Sequence, residues 1–177
     1  DERPKAKRLR PGRTHRNAAL AAVAEEHRPI AEQVLRGGLP AVRTAIEKQN
    51  SEATEAGTPQ VEVSTVLAIA EPMVGVFQAA EWRDRADAAL AEIDELGLRD
   101  LRSVVVAADP TAKDEDVRAL ADQLKAGLAA RLEKDQAEWV RDLTSAVDGG
   151  RTIRALRLSS RPVKAGLFDV KHSPGGM

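Results

Sequence analysis

Four arginines near the C-terminus recur at a spacing that would place them on one side of a helix. They are Arg151, Arg154, Arg157 and Arg161, and Lys164 follows them. At roughly 100° per residue, these arginines fall within about a third of the helix circumference. The planar guanidinium group can donate two hydrogen bonds at once to a phosphate. The spacing therefore predicts a row of cations that contacts the phosphates of a nucleic acid. The alternative is that the basic segments are solubilising ends or pair with the acidic part of the chain itself.

A second basic segment lies at the N-terminus. Residues 1–16 contain seven basic and two acidic side chains, and residues 151–164 contain five basic and no acidic ones. Because the whole chain has a net charge of −1, the segment between these two must be strongly acidic. Such a separation of charge is typical of a protein whose ends contact an anionic partner.

The N-terminal segment is expected to be a mobile basic arm over residues 1–13. Pro4, Pro11 and Gly12 interrupt it, and Leu9 is its one large apolar side chain. Such a segment cannot bury enough surface to offset the entropy of ordering its chain. The cations predicted to contact phosphates here are Arg8, Arg10, Arg13 and Arg16.

Residues 30–50 have the order of a helix-turn-helix motif. Gly37 and Gly38 are expected to end one short helix, and Pro40 to begin the next. Arg43 and Lys48 would then lie on the outer face of the second helix, where they could contact bases or phosphates. Any small helical bundle gives a similar pattern, so both interpretations stay open.

Side chains suited to catalysis or metal binding are scarce. The chain has no Cys, and its three histidines lie far apart, without the spacing of a metal site. It has neither the serine elbow of hydrolases nor a glycine-rich phosphate loop. Its paired carboxylates are expected on solvated helix faces rather than in an enclosed cleft. We therefore predict a non-enzymatic protein with no catalytic site, no metal and no cofactor.

The composition predicts an all-α fold, because helix-forming residues dominate and aromatic residues make up only 2% of the chain. A long central helix is expected over about 114–148, with acids at its start and Gly149-Gly150 at its end. Its apolar residues recur at steps of three and four, and we expect them to be core. They are Val117, Leu120, Leu124, Leu128, Leu132, Val140, Leu143 and Val147.

The predicted architecture is an elongated helical bundle with a small N-terminal three-helix piece. Its divisions are the arm (1–13), a small helical piece (14–57), a long-helix bundle (64–160) and a loose tail (162–177). Pro72 is expected to kink or split the helix that begins near Ser64. The final helix would dock through Ile153 and Leu156 and present its arginines to solvent.

Two functions are compatible with these features. The first is a non-enzymatic protein that binds RNA or duplex DNA through the two basic segments. The alternative is a helical adaptor or scaffold that binds a protein partner, or forms a homo-oligomer, through exposed apolar surface. We identify no apolar run near the roughly 18 residues of a membrane helix, and no signal peptide, so we predict a cytoplasmic protein without membrane contact.

Overall fold

The computed structural model describes residues 7–109 and 112–159. Its regular structure consists of α1 (Thr14–Ala21), α2 (Arg28–Ala56), α3 (Val63–Ala91), α4 (Leu98–Val106), α5 (Glu115–Asp148) and α6 (Thr152–Ser159). A single 3₁₀ turn, Glu25–His27, precedes α2. Within the described residues the one extended pairing is an isolated bridge between Lys7 and Leu96. The prediction of an all-α fold is confirmed.

The chain divides into two compact units. The N-terminal unit contains residues 12–84, and the C-terminal unit contains residues 1–11 and 85–177. The boundary lies within α3 rather than in the segment between the two predicted helical pieces. The reason is that the first part of α3 shares a core with α2. The predicted tail, 162–177, lies outside the described residues.

The core of the N-terminal unit is formed by both parts of α2 and by the first part of α3. The buried residues are Ala31, Val34, Val42, Ile46, Ala70 and Phe77. The glycines predicted to separate two helices do interrupt α2, because Gly37 and Gly38 depart from helical backbone angles. Gly38 has a φ of 65°, a left-handed conformation that glycine adopts without a steric penalty.

Asn50 holds the segment between α2 and α3 in place. Its side-chain amide donates a hydrogen bond to the carbonyl of Val61 and accepts one from the amide of the same residue, both at 2.8 Å. This pairing satisfies two backbone groups that have no helical partner. Helix α2 continues beyond Asn50 to Ala56 and ends at Gly57, which has a φ of 68°.

Helix α3 continues through Pro72 without being split. Pro72 is exposed, so its ring and the missing N–H face away from the core. By length and composition, α3 is also the one helix among the described residues that could cross a membrane. This finding differs from the expectation that no apolar run approaches the length of a membrane helix. Ala70 and Phe77 of this helix are buried in the core of the N-terminal unit, while 17% of its most apolar 18-residue stretch is buried in all.

In the C-terminal unit, α5 has the predicted limits and packs against α4. The Asp114 carboxylate accepts a hydrogen bond from the amide of Asp116 at 3.0 Å, which caps the first turn. Leu101 on α4 and Leu124 on α5 are completely buried. The expectation that the whole stripe is core is wrong, because Val140 is 52% exposed and Val147 is 60% exposed.

The middle of α5 is fixed to the turn that follows α3. The Arg131 guanidinium donates to the carbonyl of Ile93 at 2.8 Å and to the Asp135 carboxylate at 3.0 Å. One turn earlier, Gly127 lies directly against the Ile93 side chain, and a methyl group at Gly127 would overlap it. A glycine in a helix interior costs about 1 kcal/mol relative to alanine, and this close approach accounts for its presence.

Replacing Leu124 with Ala should reduce the free energy of unfolding by about 2–5 kcal/mol, because it leaves a cavity in a fully buried site. Val140→Ala is the matched control on the same helix. Its exposed side chain should make a difference of no more than about 0.5 kcal/mol in a denaturant titration. Equal losses in the two variants would contradict the observed limit of the buried stripe.

Candidate nucleic-acid interface

Helix α6 folds back along the end of α5. Gly150 has a φ of 63°, and its amide donates to the carbonyl of Val147 at 2.9 Å. The next amide, of Arg151, donates to the carbonyl of Ala146 at 2.9 Å. These two bonds form the Schellman motif that ends many helices, with glycine in its left-handed position. The predicted glycine stop is therefore confirmed, and it also reverses the direction of the chain.

Trp139 holds the other end of α6. Its indole N–H donates to the carbonyl of Leu158 at 2.8 Å. This carbonyl lies in the last turn of α6, where backbone oxygens lack a helical partner. The bond crosses the hairpin about nine residues from the turn on each side, so it keeps the full length of α6 against α5.

The face of α6 that packs is not the predicted one. Ala155 and Leu158 are half-buried, whereas Ile153 is 70% exposed and Leu156 is 66% exposed. The prediction that Ile153 and Leu156 dock the helix is therefore wrong. The turn at Gly150 and the bond from Trp139 decide the orientation of α6, and they outweigh the larger apolar area of the two exposed side chains.

The arginine row of α6 is solvent-exposed despite this different docking. Arg151, Arg154 and Arg157 are all exposed. Arg151 and Arg154 form no ion pair with any residue that the structure describes. Arg157, in contrast, interacts with another group of the protein. Arg161 and Lys164 lie outside the described residues. Two cations of the predicted row, Arg154 and Arg157, thus lie on α6, and Arg151 directly precedes its first residue.

The N-terminal arm is held at Lys7. Its amide donates to the carbonyl of Glu95 at 3.1 Å, and its ammonium group lies 2.8 Å from Glu92 and 3.4 Å from Glu95. The hydrogen bond with Glu92 raises the pKa of Lys7. The arm therefore differs at this residue from the mobile segment expected. Arg8 and Arg10, which follow it, are exposed.

Arg13 and Arg16 are positioned by the carboxylate of Asp84, a residue that no sequence pattern indicates. Asp84 is 4% exposed and accepts hydrogen bonds from the amides of His15 and Arg16, at 2.9 and 3.2 Å. Those amides belong to the first turn of α1, where donors lack helical partners. Asp84 thus caps a helix distant in sequence. In this arrangement the Arg13 side chain is exposed and the Arg16 side chain is half-buried.

The outer face of α2 is not a basic surface. Arg43 and Lys48 are exposed as predicted, but Lys48 lies 3.9 Å from Glu52, and Glu47 is exposed beside them. Opposite charges on one face reduce its attraction for phosphate. These two residues also belong to the N-terminal unit, whereas the row on α6 belongs to the C-terminal unit.

The described residues contain no group of three or more His, Asp or Glu side chains arranged to hold a metal ion. No protein-family model matches the chain, and neither a curated protein nor a solved structure is similar to it. The residues themselves therefore carry the inference of function. Of the predicted cations, Arg154 and Arg157 lie on α6, and Arg151 lies in the turn directly before it.

Replacing Trp139 with Phe should release the last turn of α6, because Phe cannot donate the bond to Leu158. We expect hydrogen exchange of the α6 amides to accelerate about two- to tenfold, the equivalent of one lost hydrogen bond. Trp82→Phe, in the other unit, is the control and should leave exchange in α6 unchanged. Unaltered exchange after the Trp139 substitution would show that this bond does not hold the helix.

Replacing Asp84 with Asn keeps the size of the side chain but substitutes a donor for one acceptor oxygen. One amide at the start of α1 then lacks a partner, which should lower the free energy of unfolding by about 1–3 kcal/mol. The control is Asp122→Asn, at an exposed site on α5, with an expected change below about 0.5 kcal/mol. Chemical denaturation measures both, and equal effects would refute the capping role of Asp84.

Proposed function

We propose that this chain is a non-enzymatic nucleic-acid-binding protein that contacts the phosphates of RNA or duplex DNA through the arginines of α6. The observation that carries the proposal is the state of Arg151 and Arg154. Both are exposed, and neither is neutralised by an acidic side chain of the described residues. Lys7 and Lys48, in contrast, each lie within 4 Å of a carboxylate.

The spacing and shape of the arginine side chains suit phosphate groups better than a single positive charge would. Successive arginines in the row are three residues apart, which is about 4.5 Å along the helix axis. Each guanidinium can donate two parallel hydrogen bonds to one phosphate. Since α6 is held at both ends against α5, these side chains are presented from a fixed backbone, and less entropy is lost on binding.

Cations outside α6 would add to the attraction. Arg8 and Arg10 lie in the same unit as α6 and are exposed. Arg161 and Lys164 follow α6 in the sequence. The acidic remainder of the chain repels phosphate, so binding is restricted to the basic segments. Such contacts read the backbone rather than the base sequence, and they require neither a cofactor nor a metal.

The exposed apolar side chains favour a second candidate, a helical adaptor or scaffold. Ile153 and Leu156 on α6, and Val140 and Val147 on α5, are all more than half exposed. Exposed apolar groups that cluster on a surface are typical of sites that bind protein partners or form homo-oligomers. In this case the arginines beside Ile153 would select an acidic partner.

Reversing the charge of the row tests the first candidate. The substitutions Arg151→Glu, Arg154→Glu and Arg157→Glu together should abolish retention of labelled duplex DNA and structured RNA at low salt. Circular dichroism should show an unchanged helix content, because the bond from Trp139 involves none of these side chains; the measurement also checks the loss of the contact made by Arg157.

The matched control carries Arg28→Glu, Arg99→Glu and Arg118→Glu, three exposed arginines outside the predicted row. It has the same change in net charge and should retain both nucleic acids with nearly unchanged affinity. Equal losses of nucleic-acid retention in the two variants would mean that binding depends on the net charge of the chain and not on the position of the arginines. Unchanged retention after reversal of the row would refute the proposal and leave the adaptor as the remaining candidate.

A further inference from the structure

A cavity of about 240 Å³ lies within the N-terminal unit, at the point where the glycines interrupt α2. Val34, Val74 and Phe77 are among its apolar lining residues; Val74 is half-buried, whereas Val34 and Phe77 are mostly covered by the core and border the cavity with a small part of their surface. Gly37 and Gly38 line it as well, so the interruption of the helix helps to form the space. This cavity is below the roughly 300–1,000 Å³ of sites for drug-sized ligands, so a suitable ligand is small.

Two arginines from different helices line this cavity. Arg16 comes from α1, which Asp84 caps, and Arg36 directly precedes the interruption of α2. Neither guanidinium forms an ion pair with the residues that the structure describes. Glu81 also lines the cavity, and it too lacks an ion pair within the described chain. The lining therefore has an excess of one positive charge beside an apolar wall.

The two arginines beside apolar residues differ from cations on an ordinary solvated surface in how strongly they can attract an anion. Arg16 is half-buried, so its charge is less screened than the charges of Arg36 and Glu81, which are exposed. An anion that reaches both guanidiniums can accept several charge-assisted hydrogen bonds, which are stronger than those between neutral groups. The apolar wall cannot satisfy a fully polar ion, but it can bury a short hydrocarbon chain.

We propose that this cavity binds a small organic anion that joins a carboxylate or phosphate group to a short apolar chain. Arg16 and Arg36 hold the anionic group, and Val74 and Phe77 contact the apolar part. Glu81 opposes the anion and lowers its affinity. The site lies in the N-terminal unit and is independent of the nucleic-acid interface on α6.

The test uses nuclear magnetic resonance of the full chain, with the amide signals of Gly37 and Gly38 as reporters. The probes are hexanoate, hexyl phosphate and uncharged hexanol. We expect hexanoate, hexyl phosphate or both to shift these two signals with saturation, and hexanol to bind at least about tenfold more weakly. Binding of only one of the two anions identifies the anionic group that the site prefers.

Substitutions of the charged lining residues separate a site from a chance contact. Arg16→Gln with Arg36→Gln should weaken binding of the anion at least about tenfold. Arg43→Gln, on the same α2 but outside the cavity lining, is the control and should have no effect. Glu81→Gln should strengthen binding several-fold because it removes a repulsive charge, and it provides a readout that does not depend on the folding of the arginine variant.

Three results would overturn the proposal. The first is the absence of shifts at Gly37 and Gly38 with either anion at about 10 mM. This concentration is well above the Michaelis constants that are typical for metabolites. The second is equal binding of hexanol, which would show a purely apolar contact. The third is binding that neither the arginine substitutions nor Glu81→Gln alters. None of these results affects the assay of nucleic-acid retention, which depends on α6.

Discussion

The hydrogen bond from the Trp139 indole to the Leu158 carbonyl, together with the turn at Gly150, decides which side of α6 faces solvent. The turn reverses the chain, and the indole bond holds the last helical turn against α5. With Ala155 and Leu158 on the packed side, the arginines and the two large apolar side chains share the exposed side. The character of this surface, cationic with apolar groups beside the charges, follows from that orientation.

A comparable constraint operates in the N-terminal unit. The buried Asp84 carboxylate accepts two amide hydrogen bonds at the start of α1, and a buried charge is tolerated only when such partners are present. This contact brings Arg16 to the cavity beside Arg36. Each unit thus uses one side-chain contact to the backbone of a short helix, and in each unit that contact decides where arginines are presented.

Features with local signals could be predicted from the sequence, and those that depend on distant partners could not. Asp114 and the two glycines at 149–150 mark the ends of α5, because a cap and a stop act within one helical turn. The interruption at Gly37-Gly38 has the same local origin. The role of Asp84 was hidden, since nothing in the residues around it indicates that α1 lies nearby.

The orientation of α6 was predicted wrongly for a related reason. Ile153 and Leu156 form the larger apolar face, and periodicity alone assigns the larger face to the core. The length of the turn and the position of Trp139 select the other face, and neither can be recognised from the spacing of residues within α6. The anchoring of Lys7 by Glu92 and Glu95 also depends on residues far away in the sequence.

The most direct measurement is the salt dependence of binding to a labelled DNA duplex. Each phosphate contact contributes about −0.9 to the slope of the logarithm of the association constant against the logarithm of salt concentration. If Arg151, Arg154 and Arg157 each contact one phosphate, we expect a slope of about −3, and a steeper one if the arm takes part. A slope near zero, or no binding at the lowest salt concentration, would contradict phosphate recognition by α6.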